Sequence, residues 1–139
     1  MTSGVSPARL AELLDSRVFG IVATVQPDGS PQQTVVWVAR EGEDVLFMCA
    51  IGSRKERNLR RDPRVTVLVT PAEAPHTYAA VHGTATFEPE RAEQLREQLV
   101  RKYIGKSWAQ HIADTPEAGA DRRPITAVRI SPRKVVGRL

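Results

Sequence analysis

At 139 residues the chain has the length of one domain, enough to bury about two-thirds of the surface that its unfolded form would expose. Hydrophobic residues make up 41% and charged residues 26%, an ordinary globular balance, and no apolar run approaches the roughly 20 residues that a membrane-spanning helix needs. The net charge of +4 and pI near 9.7 invite a nucleic-acid reading, but aromatics are only 5% and do not interleave with the basic residues as single-strand binders require.

Cys49 is the only cysteine, so no internal disulfide can form. The N-terminus lacks a basic segment followed by an apolar one, so no secretory leader is expected. A single domain over residues 1–139, cytoplasmic and without membrane or nucleic-acid partners, is the expectation.

Ser6-Pro7 is an N-cap followed by proline at the first helical position, and Leu10, Leu13 and Leu14 carry a short amphipathic helix to about Asp15. Phe19–Val25 is nearly continuous and β-rich, which predicts a strand buried on both faces. Gln26-Pro27-Asp28-Gly29 is a turn, and residues 32–39 and 45–50 follow as two further strands of an expected antiparallel meander.

Residues 51–63 interrupt the strands. Gly52 breaks the apolar run, and Ser53 and Glu56 have capping-box spacing, so a helix starts at Ser53 and stops before Pro63. Residues 54–64 hold six basic residues and two acids, while the rest of the chain balances, so the whole excess positive charge lies in this segment. Arg54 and Lys55 carry the wrong sign for a helix N-terminus. A bound phosphate would reverse that sign, with free N–H groups and a serine hydroxyl around it. A solvated basic face is the plainer reading, and residue types alone do not separate the two.

Residues 65–69 and 78–87 are strands, and Gly83 inside the second predicts a bulge or a close backbone approach. Residues 90–103 form a helix closed by Gly105, with one or two further turns at 107–112 and a polar loop over 114–124. Residues 125–130 and 135–136 complete the sheet, with a turn expected at Ser131-Pro132. The pattern predicts a mainly β protein, a small barrel of six to seven antiparallel strands with two to four helices attached.

No glycine-rich nucleotide loop and no metal-type Cys/His cluster is present, and His76, His82 and His111 share no ligand-like spacing. A chain with no evident acid, base or nucleophile is either not an enzyme or leaves the chemistry to a cofactor.

The order Phe-Gly-Ile-Val-Ala-Thr-Val, then Pro-Asp-Gly-Ser-Pro-Gln, then a strand bearing Trp37 resembles the flavin/deazaflavin oxidoreductase superfamily, the pyridoxamine 5′-phosphate oxidase-like split β-barrels with an FMN-binding-like fold. Residues 52–65 carry the most specific likeness, and 78–85 also fit. The resemblance implies a homodimer with coenzyme sites at the subunit interface. It places the phosphate against Gly52, Ser53, Arg54, Lys55, Arg57 and Asn58, and the ring along Gln33, Thr34, Val36, Trp37, Cys49, Ala50 and Ile51. The segment is most similar to the branch that uses coenzyme F420, whose anionic tail Arg57, Arg60, Arg61 and Arg64 could attract. The implied activity is hydride transfer to a small organic acceptor, with Tyr78 and His82 as candidate proton donors. FMN-dependent chemistry on the same fold, or coenzyme binding without turnover, are the alternatives. Trp37 has a second reading, as a core or interface aromatic.

Overall fold

The computed structural model describes residues 4–139. The elements are α1 (Pro7–Asp15), β1 (Phe19–Val25), β2 (Pro31–Val36), β3 (Ala39–Glu41), β4 (Asp44–Ala50), α2 (Arg54–Arg61), β5 (Arg64–Thr70), β6 (Tyr78–Glu88), α3 (Ala92–Tyr103), α4 (Trp108–Asp114) and β7 (Ile125–Arg138). Short 3-10 turns at Pro89–Arg91 and Pro116–Gly119 precede α3 and β7.

All seven strands form one antiparallel sheet in the order β2-β1-β5-β6-β7-β4-β3. Its two edge strands, β2 and β3, are separated in sequence only by Trp37-Val38. Two residues span roughly 10 Å at most, so the sheet must curl until its edges meet. That is a split barrel, as expected, but not through a meander. β2 pairs with β1 alone, and β4 pairs with β3 and β7. The expected strand over 32–39 is two strands with a break at Trp37-Val38.

The break leaves the Val38 backbone without a ladder, and α3 supplies the missing partners. The Val38 N–H donates to Tyr103 Oη at 3.1 Å, and Tyr103 Oη donates to the Val18 carbonyl at 2.9 Å. Lys102 Nζ donates to the carbonyls of Val38 and Leu14, both at 2.6 Å. Burial pulls the Lys102 pKa down to about 8, against a weaker opposing pull from Asp15. The folded chain therefore loses this proton before the unfolded chain does. Between about pH 8 and pH 10 the unfolded state holds the extra proton, and stability rises with pH. Lys55, also lowered by burial, adds the same sign. Tyr103 and Cys49, both raised by burial, carry the opposite sign, Cys49 from about pH 9 upward and Tyr103 above it. The urea midpoint should thus be higher at pH 8.5 than at pH 7.5, below the range where Cys49 opposes, and Lys102→Met should shrink that difference. A midpoint that falls across this window would refute the assignment.

The barrel interior holds Val22, Phe47, Val67, Val69, Val81, Val128 and Ile130, all fully buried. A second cluster on the opposite face of β4 packs Leu46, Met48 and Trp37 against Leu95 and Leu99 of α3. Gly83 meets its expectation: the β6–β7 register shifts at His82/Gly83, and a Cβ there would lie 2.2 Å from the Ser131 carbonyl oxygen. The turn expected at Ser131-Pro132 is absent. β7 runs through it, with Pro132 opposite Gly83 at the bulge, where a missing ladder donor is tolerated.

Two-sided burial of β1 is also not observed. Its outer face carries Phe19, 50% exposed, and half-buried Ile21 and Ala23. Val35, 67% exposed, Leu68 and Tyr78 extend the same apolar face, because each is in register with, or an even step from, those positions.

Candidate functional site

β4 delivers the chain to the start of α2 through Gly52, whose φ of 93° lies in the left-handed region that glycine alone adopts readily. Ser53 is the N-cap, and its Oγ accepts the Glu56 N–H at 3.3 Å. Glu56 closes the box one residue further back than the standard pattern, accepting the Gly52 N–H at 3.0 Å, while the Ser53 N–H donates to Ala50. The backbone N–H groups of Arg54 and Lys55 have no acceptor among the described residues.

The six cations of this segment divide into two sets. Arg60 bonds Glu56 at 2.5 Å and lies 3.9 Å over the Phe87 ring; its bond holds the buried Glu56 carboxyl below the usual range. Arg61 donates to the Val25 carbonyl and to Asn58, and Arg64 pairs with Asp62 at 2.7 Å. Arg54, Lys55 and Arg57 have no carboxylate within 4.0 Å among the described residues. Half of the basic run thus already has a partner within the chain. Arg54 and Arg57 are exposed, whereas Lys55 is half-buried with its Nζ 5.8 Å over the Phe47 ring. Burial lowers the Lys55 pKa and raises that of the neighbouring Cys49 thiol. A partly desolvated cation with no counter-charge, beside two free N–H donors, is a site that an anionic oxygen would complete.

Phe47 and Cys49 alternate on the core face of β4, so the structure gathers Phe47, Cys49, Ser53 and Lys55 at one end of the barrel. Phe47 was not singled out from the sequence, although its spacing from Cys49 places both on one face. Thr34, in register with Val22, also faces the core, and its buried Oγ has no partner among the described residues. Val36 shares that face, and Gln33 points to the other one beside Ala23. Trp37, partly buried, stacks on Tyr103 at 5.1 Å and 6° beside the α3 cluster. Ala50 and Ile51 end β4, with the Ile51 N–H donating to Pro124.

Asn58 is fully buried. Its Nδ2 donates to Thr24 at 3.0 Å and to Gln26 at 3.2 Å, tying α2 to β1.

Tyr78 and His82 lie on the outer face of the sheet, away from Phe47 and Thr34. His82 Nδ1 is 2.9 Å from Thr66 Oγ1, and the pair lines a basic groove of about 530 Å³ with Arg64 and Lys134. Neither residue joins the α2 site within this chain. Among the described residues no cluster of His, Cys, Asp or Glu could hold a metal, and no helix is long and apolar enough to cross a membrane.

Residues 6–138 match the family model described as pyridoxamine 5′-phosphate oxidase. A pyridoxine/pyridoxamine 5′-phosphate oxidase of Kineococcus radiotolerans is 36% identical over 102 residues, which are 71% of this chain and 45% of that protein. The chain therefore spans less than half the length of that relative. Among solved structures, an F420 reductase superposes with a TM-score of 0.75 at 27% identity, covering 90% of this chain and 94% of that one. A conserved hypothetical protein from Mycobacterium tuberculosis gives the same TM-score, 0.75, at 28% identity, covering 94% of this chain and 82% of that one.

Proposed function

The chain belongs to the pyridoxamine 5′-phosphate oxidase family, and from that premise we propose that it is an oxidoreductase whose coenzyme, F420 ahead of FMN, rests its phosphate at the start of α2. The observation that carries this reading is Lys55, a half-buried cation that has no carboxylate partner among the described residues and sits by the open N–H groups of Arg54 and Lys55. The residues present fit a phosphate-bearing coenzyme. Lys55, Ser53 and the two N–H groups would hold the anion, and the edge of β2 offers backbone polar groups to a ring. When bound, the coenzyme supplies the hydride chemistry, and the protein's part is to position it and exclude water.

Two observations favour F420. Its reductase matches this chain over nearly the full length of both, whereas the curated oxidase extends well beyond it. Arg54 and Arg57 are also exposed and have no carboxylate partner among the described residues, beyond the single cation that one phosphate needs, and would suit an acidic tail. Arg60, Arg61 and Arg64 no longer support that argument, because each has an internal partner. FMN is the second reading, favoured by the family model itself.

A homodimer accompanies the proposal. The apolar outer face at Phe19, Ile21, Val35, Leu68 and Tyr78 is what a second copy would cover. Tyr78 and His82 lie on that face, so either can deliver a proton only to a site completed by the second copy.

Titration of the purified protein with F420 and with FMN, followed by fluorescence quenching, tests the coenzyme. We expect submicromolar F420 binding, tighter than FMN. Submicromolar FMN binding without F420 binding would replace the first reading by the second, and binding of neither would remove both. Sedimentation of the same samples should give twice the 15.3 kDa chain mass, and a monomer at micromolar concentration would remove the dimer.

A further inference from the structure

On the far side of β4 from Lys55 lies a second, smaller cavity. Phe47 faces the barrel and Lys55, while its neighbour Met48 faces α3 and walls this cavity. The volume is about 240 Å³, and the walls are Trp37, Met48, Leu99, Trp108, Arg96 and His111. Each aromatic wall is fixed from behind. Trp37 stacks on Tyr103, and the backbone N–H of Trp108 donates to the Glu97 carboxylate of α3 at 3.2 Å. Ser107 caps α4 and sets its first turn, and the His111 ring lies 6.1 Å from that of Trp108. The 3-10 turn Pro116–Gly119 adds Ala118 as a further wall.

Arg96 is the unexplained member. Its guanidinium lies 4.3 Å over the Trp108 ring, and its Nε is buried with no hydrogen-bond partner among the described residues. Arginine is always charged and its N–H groups only donate. Arg96 lines the cavity, and among the described residues no carboxylate lies within 4.0 Å of its guanidinium, so its charge at the cavity wall is unmatched. An apolar cavity of about 150 Å³ admits a benzene ring. The cavity here is larger by about the volume of a small substituent.

We infer that this cavity is a binding site for a small aromatic carboxylate, with the ring between Trp37 and Trp108 and the carboxylate on Arg96. The inference does not depend on which coenzyme occupies the α2 site, because the two sites open on opposite faces of β4. The two tryptophans of the chain both line the cavity, so intrinsic fluorescence reports its occupancy directly.

Benzoate is the probe, and benzamide is its neutral counterpart of the same shape. Benzoate should quench saturably below about 10 mM, within reach of a ligand of this size, and should bind at least tenfold more tightly than benzamide. Arg96→Met keeps a stem over Trp108 but removes the charge, and should make the two ligands bind equally. Ala118→Phe fills the space and should abolish binding of both. Benzoate binding should survive saturation with FMN or F420. The assignment is overturned by the absence of saturable quenching, by equal affinities in the unmodified protein, by unchanged benzoate affinity in Arg96→Met, or by competition with either coenzyme.

Discussion

Replacing Lys55 with methionine should weaken coenzyme binding by about 10- to 100-fold, the range of one charge-assisted hydrogen bond, while leaving the folded chain no less stable. The two halves of that expectation have one cause. Lys55 Nζ sits over the Phe47 ring, half-buried, with no carboxylate within ion-pair distance among the described residues. Its contact with the ring contributes little. Burial opposes its charge, as the lowered pKa records. A residue kept for folding alone would do better as an apolar chain of similar length, which methionine is. The positive charge is useful only when an anion arrives, so removing it costs affinity and not stability. Titration of F420 and FMN into the variant, with urea denaturation of the coenzyme-free protein, checks both halves. Unchanged affinity would move the phosphate elsewhere, and a large loss of stability would make Lys55 a structural residue.

The local features of this site were legible in the sequence because they are set by near neighbours. Ser53 and Glu56 fix the helix start through a three-residue spacing, and Gly52 marks the left-handed turn before it. Even so, the spacing held more than was taken from it. Glu56 and Arg60 are four apart on one helix face and form an ion pair, which removes one arginine from the basic run before any ligand is considered. The long-range features were not legible. The alternation through residues 32–39 gives no sign that the ladder stops at Trp37-Val38. The groups that make the stop tolerable, Lys102 and Tyr103, lie some 65 residues away in sequence. Pairing of β4 with β7 rather than β2 is of the same kind, decided by closure of the barrel and not by local pattern. Pro132 misled for a related reason. A proline punctuates a strand in isolation, but opposite the Gly83 bulge it removes no needed hydrogen bond.

Asn58 separates a strut from a ligand, and its replacement by leucine should destabilise the protein by about 2–4 kcal/mol, as loss of a buried network does. The amide is wholly enclosed, and two donors leave it, to Thr24 and to Gln26. Leucine fills a similar volume but offers no donor. Thr24 keeps its bond to Gln32, while Gln26 Oε1 is left to find water and Arg61 loses its contact with Oδ1. Those bonds are what hold α2 across the end of β1, so the cost falls on the helix that carries Lys55. Coenzyme should recover part of the lost stability by mass action, because it binds only the folded chain. Its affinity for that folded chain should change less than threefold if Asn58 touches no coenzyme atom. Lys55→Met and Asn58→Leu therefore predict opposite patterns, one losing affinity with stability kept, the other losing stability with affinity kept. An Asn58→Leu protein with an unchanged urea midpoint and a tenfold loss of coenzyme affinity would make Asn58 a coenzyme ligand and remove its role as the tie between helix and barrel.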